Sequence, residues 1–222
     1  MKNAAFWKFF NTEAHPKLGV RAPTFRKMFE YFDRLEGPLT IVETGCARIA
    51  GNWQGDGQST LLFDRYISAR DADSTCLTVD ISESSVAACR AMVSPRVAVS
   101  QRDSVAFLGD LSSEFTAGGR TIDFLYLDSF DLDPIYWQPS AIHHLKELTA
   151  IIRCLRHDSL VVVDDCPLSA NIVPAGAGNV EFIGNPSIGG KGRLVAEYAE
   201  AVGAKLEFSG YQAGWTALVK RA

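Results

Sequence analysis

The chain predicts an α/β fold, a mostly parallel sheet with helices on both faces, and three observations carry that prediction. Five short apolar runs each end at or just before a carboxylate: Leu39 to Glu43, Leu77 to Asp80, Val97 to Val99 leading to Asp103, Ile122 to Asp128, and Leu160 to Asp165. Helical stretches at Gln58–Ser68, Ser82–Met92, Ser104–Phe115 and Gln138–Leu155 separate them, a pattern that implies βαβ units with right-handed crossovers. Lys205–Tyr211 and Trp215–Lys220 flank Gln212-Ala213-Gly214 and read as a closing antiparallel hairpin. Ligands of open α/β sheets bind outside the carboxyl ends of the strands, so acids recurring there read as one site built from several strands.

A length of 222 residues suits one domain, with a helical cap or lid over 1–37 and a catalytic core over 38–222. Hydrophobic residues at 47% and charged residues at 22% are ordinary for a globular protein. A net charge of −4 without a Lys/Arg run argues against nucleic acid and anionic membrane as partners. The five cysteines are scattered and lack CxxC spacing, which suits reduced buried thiols. No signal peptide and no membrane span are read, so a cytoplasmic protein is expected.

Taken in order, Phe25, Met28, Phe29 and Phe32 fall at helical spacing before Gly37-Pro38 stops the pattern. The first strand runs into Glu43-Thr44-Gly45-Cys46-Ala47, where a glycine lets a ligand approach the backbone. Arg48 to Gly55 then intervenes, and its Asn52 and Trp53 read equally as a flap and as an exposed connector. Gly55-Asp56-Gly57-Gln58-Ser59-Thr60 opens the next helix, with N–H groups and hydroxyls suited to an anionic group. Asp80, ending the second strand, can accept from a ribose diol or cap a helix, and the preceding glycine turn favours the ribose. Ser82-Glu83 supplies a hydroxyl and an acid to a first helical turn. Asp103 reads equally as a cap and as an acceptor for an adenine amino group. Gly45-Cys46-Ala47-Arg48-Ile49-Ala50 fails the GxGxxG pattern and no P-loop is present, so a nucleoside without phosphates fits better than a dinucleotide. Residues 168–193 are Gly/Pro/Asn-rich without period and read as a long loop, either a lid or a dimer contact. Asn171, Asn179, Asn185 and Lys191 lie there as polar groups for an acceptor.

With Glu43-Thr44-Gly45-Cys46, Gly57-Gln58-Ser59-Thr60, Val79-Asp80-Ile81-Ser82, Arg102-Asp103-Ser104, Leu125 to Ser129 and Val161 to Asp165 in this order, the chain resembles class I S-adenosylmethionine-dependent methyltransferases. The resemblance spans about Leu39 to Lys220. It implies a three-layer Rossmann-like sandwich whose seven-stranded sheet has order 3-2-1-4-5-7-6, with strand 7 antiparallel. It also implies S-adenosylmethionine as cofactor, with Gly45 and Cys46 beside its methionine part, Asp80 and Ile81 at the ribose, and Asp103 and Ser104 near adenine. Glu43, Ser59 and Asp128 would shape the same donor site. The Arg48–Gly55 insertion departs from the pattern.

Asp128, Asp164 and Asp165 resemble the acids of metal-dependent O-methyltransferases that act on small molecules. Three converging carboxylates would repel one another, and a divalent cation, Mg²⁺ foremost, would relieve them and bind a substrate hydroxyl. The alternative is that Asp164 and Asp165 cap a turn before Pro167. Asp131 resembles, at a spacing that differs by one residue, a second acid that is the proposed base in the sugar-modifying relatives, while His143 and His144 open a helix and at most one can face the site; His144 is the base expected of the two. Tyr136 and Trp137 would line an acceptor pocket or pack the helix. The expected activity is methyl transfer to a hydroxyl of a small metabolite, in a chain compatible with a homodimer. Metal-independent N- or C-methylation, a non-methylating nucleoside- and metal-binding partner of a tailoring hydroxylase, and a nicotinamide-dependent dehydrogenase are the rival readings.

Overall fold

The computed structural model describes residues 3–220, apart from the side chains of 169–175 and 180–186. Seven strands form one sheet: β1 (Thr40–Thr44), β2 (Thr75–Asp80), β3 (Val97–Gln101), β4 (Ile122–Leu127), β5 (Leu155–Val163), and the closing pair, Lys205–Phe208 and Ala213–Thr216. Two further strands, β6 (Leu168–Gly176) and β7 (Asn179–Ile188), precede that pair, which is therefore numbered β8 and β9. The sheet order is β3-β2-β1-β4-β5-β9-β8, and β9 alone is reversed, antiparallel to both β5 and β8. Counted within the sheet, this is the expected 3-2-1-4-5-7-6.

Period-two alternation sorts the strand residues onto two cores. Ile41, Phe124, Tyr126, Leu160 and Val162 face one side; Val42, Leu125, Leu127, Val161 and Val163 face the other. The first side is covered by α1 (Ala4–Phe9), α2 (Ala22–Phe32) and, after the short turn α3 (Trp53–Asp56), by α4 (Ser59–Arg70). Phe25, Met28, Phe29 and Phe32 are the buried stripe of α2, and they pack with Phe6, Phe10, Phe63, Tyr66 and Phe124 into an aromatic wall. In chain order, α5 (Glu83–Met92), α6 (Ser104–Ala117), α7 (Gln138–Ile151) and α8 (Arg193–Val202) complete the helices. The second core takes Phe107, Leu108, Leu111 and Phe115 of α6, Leu148 and Ile151 of α7, and Val195 and Ala199 of α8. Among the described residues no helix is long and apolar enough to cross a membrane.

Three expectations need correction. The helix over Gln138–Leu155 ends at Ile151, because Leu155 is drawn into β5 opposite Ile122. The closing strands are shorter than expected: Phe208 lies opposite Gly214, where any Cβ would strike its ring, and Ala217 at φ +59 ends the second strand. The predicted loop over 168–193 is mostly the β6–β7 hairpin, turning at Ala177-Gly178, both at positive φ. Those paired, positive-φ residues supply the two-residue hairpin geometry that matches strand twist. The side chains of Asn171 and Asn185 lie outside the described residues.

Candidate functional site

The carboxyl ends of β1 and β4 are locked together through Gly45. Its φ is +77°, and a Cβ there would sit 2.4 Å from the Asp128 carbonyl oxygen. Asp128 N donates to Thr44 O at 2.9 Å and Gly45 N donates to Val79 O at 2.8 Å, so three strand ends meet at one glycine. Glu43 stands behind this turn and does not line it. Its carboxylate is fully buried and accepts from Ser59 Oγ and Thr60 Oγ1, both at 2.6 Å. Burial pushes the Glu43 carboxyl up to about 7 despite those hydroxyls. Glu43 thus ties β1 to the first turn of α4 from behind the cleft, while Ser59 and Cys46 reach its surface.

Asp80 is the joint of the site. Its two oxygens accept from Cys46 N at 3.3 Å and Ser82 N at 2.8 Å, which fixes the carboxylate between two cavities. The larger, of about 350 Å³, is lined by Val79, Asp80, Ile81, Asp103, Ser104, Ser129, Phe130 and His143. That volume lies within the range of small-molecule sites, and the walls pair apolar surface with a few fixed polar groups. Asp103 caps α6 by accepting from Ala106 N at 2.9 Å, so its capping role is realised while it also borders the cavity. Ser82 likewise caps α5 through Ser85 N at 3.3 Å.

The smaller cleft holds Gly45, Cys46, Arg48, Asp56, Ser59, Asp80, Asp128, Ser129 and Asp131. Arg48 bridges it, with Nε 3.0 Å from Asp56 and Nη1 3.2 Å from Asp131. Asp56 also accepts from the backbone of Arg48 and Ile49, which folds the insertion into a tight loop around one carboxylate. Half-buried Trp53 packs toward the N-terminal wall and carries Lys17 over its ring, so it does not close over the cleft.

Of the two adjacent histidines, His143 lines the larger cavity and the expected His144 does not. His144 is fully buried, donates from Nδ1 to Ser140 O at 2.7 Å, and has no partner for Nε2 among the described residues. Burial drives its pKa down to about 4, and it borders neither cavity. Successive helical residues diverge by about 100°, and it is His143 that turns outward. His143 Nε2 lies 2.9 Å from Ser104 Oγ and 3.3 Å from Glu147 Oε1. Glu147 is fully buried and also accepts from Ser129 Oγ at 2.5 Å and Thr44 Oγ1 at 3.1 Å. Burial opposes its charge, yet His143, His144 and the hydroxyls around it hold the carboxyl below the usual range. This network pins the ends of β1 and β4 to α7 and sets one wall of the larger cavity.

Asp128, Asp164 and Asp165 do converge, but not as unpaired acids. Lys191 Nζ pairs with Asp128 and lies 2.9 Å from Asp165. Arg21, from the segment before α2, brings Nε to 3.6 Å from Asp164 and Nη2 to 3.5 Å from Asp165. Tyr126 donates to Asp164 at 2.9 Å, and Asp165 N donates to its other oxygen at 2.8 Å. Burial raises the Asp164 carboxyl, and the neighbouring Asp165 raises it further. Burial opposes the charge of Asp165 as well, but Lys191 holds it low. Burial disfavours the Lys191 ammonium too, and Asp128, Asp165 and Asp164 overcome this and hold it above its ordinary value. The expected metal triad therefore does not fit a divalent ion: its oxygens already serve an ammonium, a guanidinium, a phenol and a backbone N–H. Neither Lys191 as a partner of the acids nor Arg21 was read from the sequence.

No protein-family model matches the chain, and no curated protein does. Among solved structures, the MycE methyltransferase from the mycinamycin biosynthetic pathway, in complex with Mg and SAH, is similar at TM-score 0.57 and 13% identity, covering 100% of this chain. This chain spans only 56% of that one. SAM-bound CalS10, an amino pentose methyltransferase from Micromonospora echinaspora involved in calicheamicin biosynthesis, is similar at TM-score 0.50 and 11% identity, over 96% of this chain and 95% of its own. NSun6 from Pyrococcus horikoshii, with SFG, reaches TM-score 0.50 at 15% identity, over 87% of this chain and 51% of its own. Strand order, the single reversed strand and these likenesses together give the chain the Rossmann-like fold of the class I methyltransferases.

Proposed function

We propose that the protein transfers a methyl group from S-adenosylmethionine to a hydroxyl of a small metabolite. The observation that carries this reading is Asp80, fixed by Cys46 N and Ser82 N at the junction of a nucleoside-sized cavity and a narrow polar cleft. Such a junction suits a ligand with a diol at its middle, an apolar base at one end and an amino acid at the other. Val79, Ile81 and Phe130 would sandwich the base, with Asp103 and Ser104 at its edge; Arg48 would meet the carboxylate of the amino-acid end. When bound, the donor supplies an electrophilic methyl on a cationic sulfur. Gly45, whose φ of +77° lets the β1 end pack on the Asp128 backbone, keeps the floor of the cleft free of a side chain. Asp131, exposed on the same cleft beside Asp128, would take the acceptor's proton. No step uses a divalent ion, for the reason given by Lys191 and Arg21 above.

Calorimetric titration with S-adenosylhomocysteine tests the reading. Wild type is expected to bind, and Asp80→Ala to lose about 2 kcal/mol or more, the magnitude of hydrogen bonds to a charged acceptor. Equal affinity in the two proteins would remove the ribose role and the proposal with it.

A further inference from the structure

We infer that Lys191 is a built-in cation occupying the position that a divalent ion would take among Asp128, Asp164 and Asp165, so that this rim neither binds nor needs one. The inference rests on the cleft being a methyl-transfer site, and it concerns what supplies positive charge there.

Three observations converge. The first is placement: the Lys191 side chain is 1% exposed, and its Nζ pairs with Asp128 and Asp165 from two different strand ends. An ammonium is a compact point charge with three donors, so it can bridge two carboxylates much as a small ion does. The second is how the lysine is held. Gly190, at φ +55, would put a Cβ 2.3 Å from Asp165 O, and Gly192 would put one 2.4 Å from Cys166 Sγ. Only glycines let the 189–192 turn lie flat on the segment that carries the acids. Lys191 N donates to Asp165 O at 3.1 Å and Gly189 N to Pro167 O at 2.8 Å, so the turn is hydrogen-bonded in place. The third is the far side of the cluster, where Arg21 approaches Asp164 and Asp165 and Tyr126 donates to Asp164. A divalent ion would have to displace these partners and settle beside an ammonium. Like-charge repulsion at that range opposes it.

Mn²⁺ titration followed by electron paramagnetic resonance tests this directly. Wild type is expected to hold no stoichiometric Mn²⁺ at millimolar concentration, and its S-adenosylhomocysteine affinity is expected to be the same in EDTA as in Mg²⁺. Lys191→Ala, which opens the site and strips its ammonium, is expected to take up one Mn²⁺ per chain at least about tenfold more tightly than wild type. Lys191→Met keeps the side-chain volume and is the second variant, should the alanine protein fail to give the wild-type circular dichroism spectrum. One tight Mn²⁺ per wild-type chain overturns the inference, and so does a folded Lys191 variant that gains none. Loss of S-adenosylhomocysteine binding by wild type would sink the proposed function, but the Mn²⁺ result would still decide the role of Lys191.

Discussion

Glu43→Gln should make the fold more stable at pH 8 and leave it nearly unchanged at pH 5. The Glu43 carboxyl is fully buried, and burial raises it from 4.5 to about 7. Below pH 4.5 the group is protonated folded and unfolded alike, so it contributes no difference. As pH rises from there to about 7, the unfolded chain releases the proton while the folded chain keeps it, and stability falls. At about 1.36 kcal/mol per pH unit, the penalty reaches about 3 kcal/mol above pH 7. The amide carries no charge and can still accept from one hydroxyl while donating to the other. Weakening one of the two hydroxyl contacts costs about 1 kcal/mol, so the variant should gain about 2 kcal/mol net at pH 8.

For a chain of this length, about 2 kcal/mol corresponds to a Tm rise of roughly 4–8 °C. Differential scanning calorimetry of both proteins between pH 5 and pH 8 measures it. The expected pattern is a Tm difference that opens with rising pH. Parallel curves across that range would refute the reasoning, because they would mean that Glu43 titrates alike in the folded and unfolded chains.

Gly45→Ala should impair both folding and ligand binding. A Cβ 2.4 Å from Asp128 O at φ +77 costs about 1–2 kcal/mol in backbone strain alone, and relief must move Asp128; urea titration and S-adenosylhomocysteine calorimetry check both effects. Asp131→Asn, at an exposed side chain, should leave Tm unchanged while lowering kcat by about 10²–10⁴ with a hydroxyl acceptor. An unchanged kcat would remove Asp131 as the proton acceptor.

Much of this architecture was legible in the sequence because it rests on short-range patterns. A strand buried on both faces must read as an apolar run, and Ile122 to Leu127 does so with every residue buried. Acids recur where those runs stop, and there they tie β1 to α4, cap α6 or pair with a buried lysine, as Glu43, Asp103 and Asp128 do. The β6–β7 hairpin hid for the opposite reason. Pro174 pairs with Val180 inside it, and its turn is Ala177-Gly178, without the Asn or Asp that marks such turns. The choice between His143 and His144 depends on the rotation of α7 about its own axis. Tertiary packing sets that rotation, and a pair of adjacent residues carries no sign of it.

The cations were hidden more deeply, and they change the chemistry of the rim. Arg21 precedes the first strand and Lys191 follows the hairpin, so neither shares a period or a motif with Asp128, Asp164 and Asp165. Their approach is fixed by long-range fits: Gly190 against Asp165, and Gly57, whose Cβ would lie 3.1 Å from Arg21 Cδ. Counting acids at strand ends therefore yields an apparent excess of negative charge, and a metal looks like the natural remedy. Once folded, Lys191 is fully buried and Arg21 nearly so, while Asp165 sits at φ +44, a left-handed conformation that aspartate adopts more readily than most residues but less readily than glycine. Strain of that kind persists only where surrounding contacts over-determine it. Here the Asp165 backbone is held by its N–H on Asp164 and by Lys191 N on its carbonyl, so the turn that carries the buried ammonium also fixes the acid it pairs with.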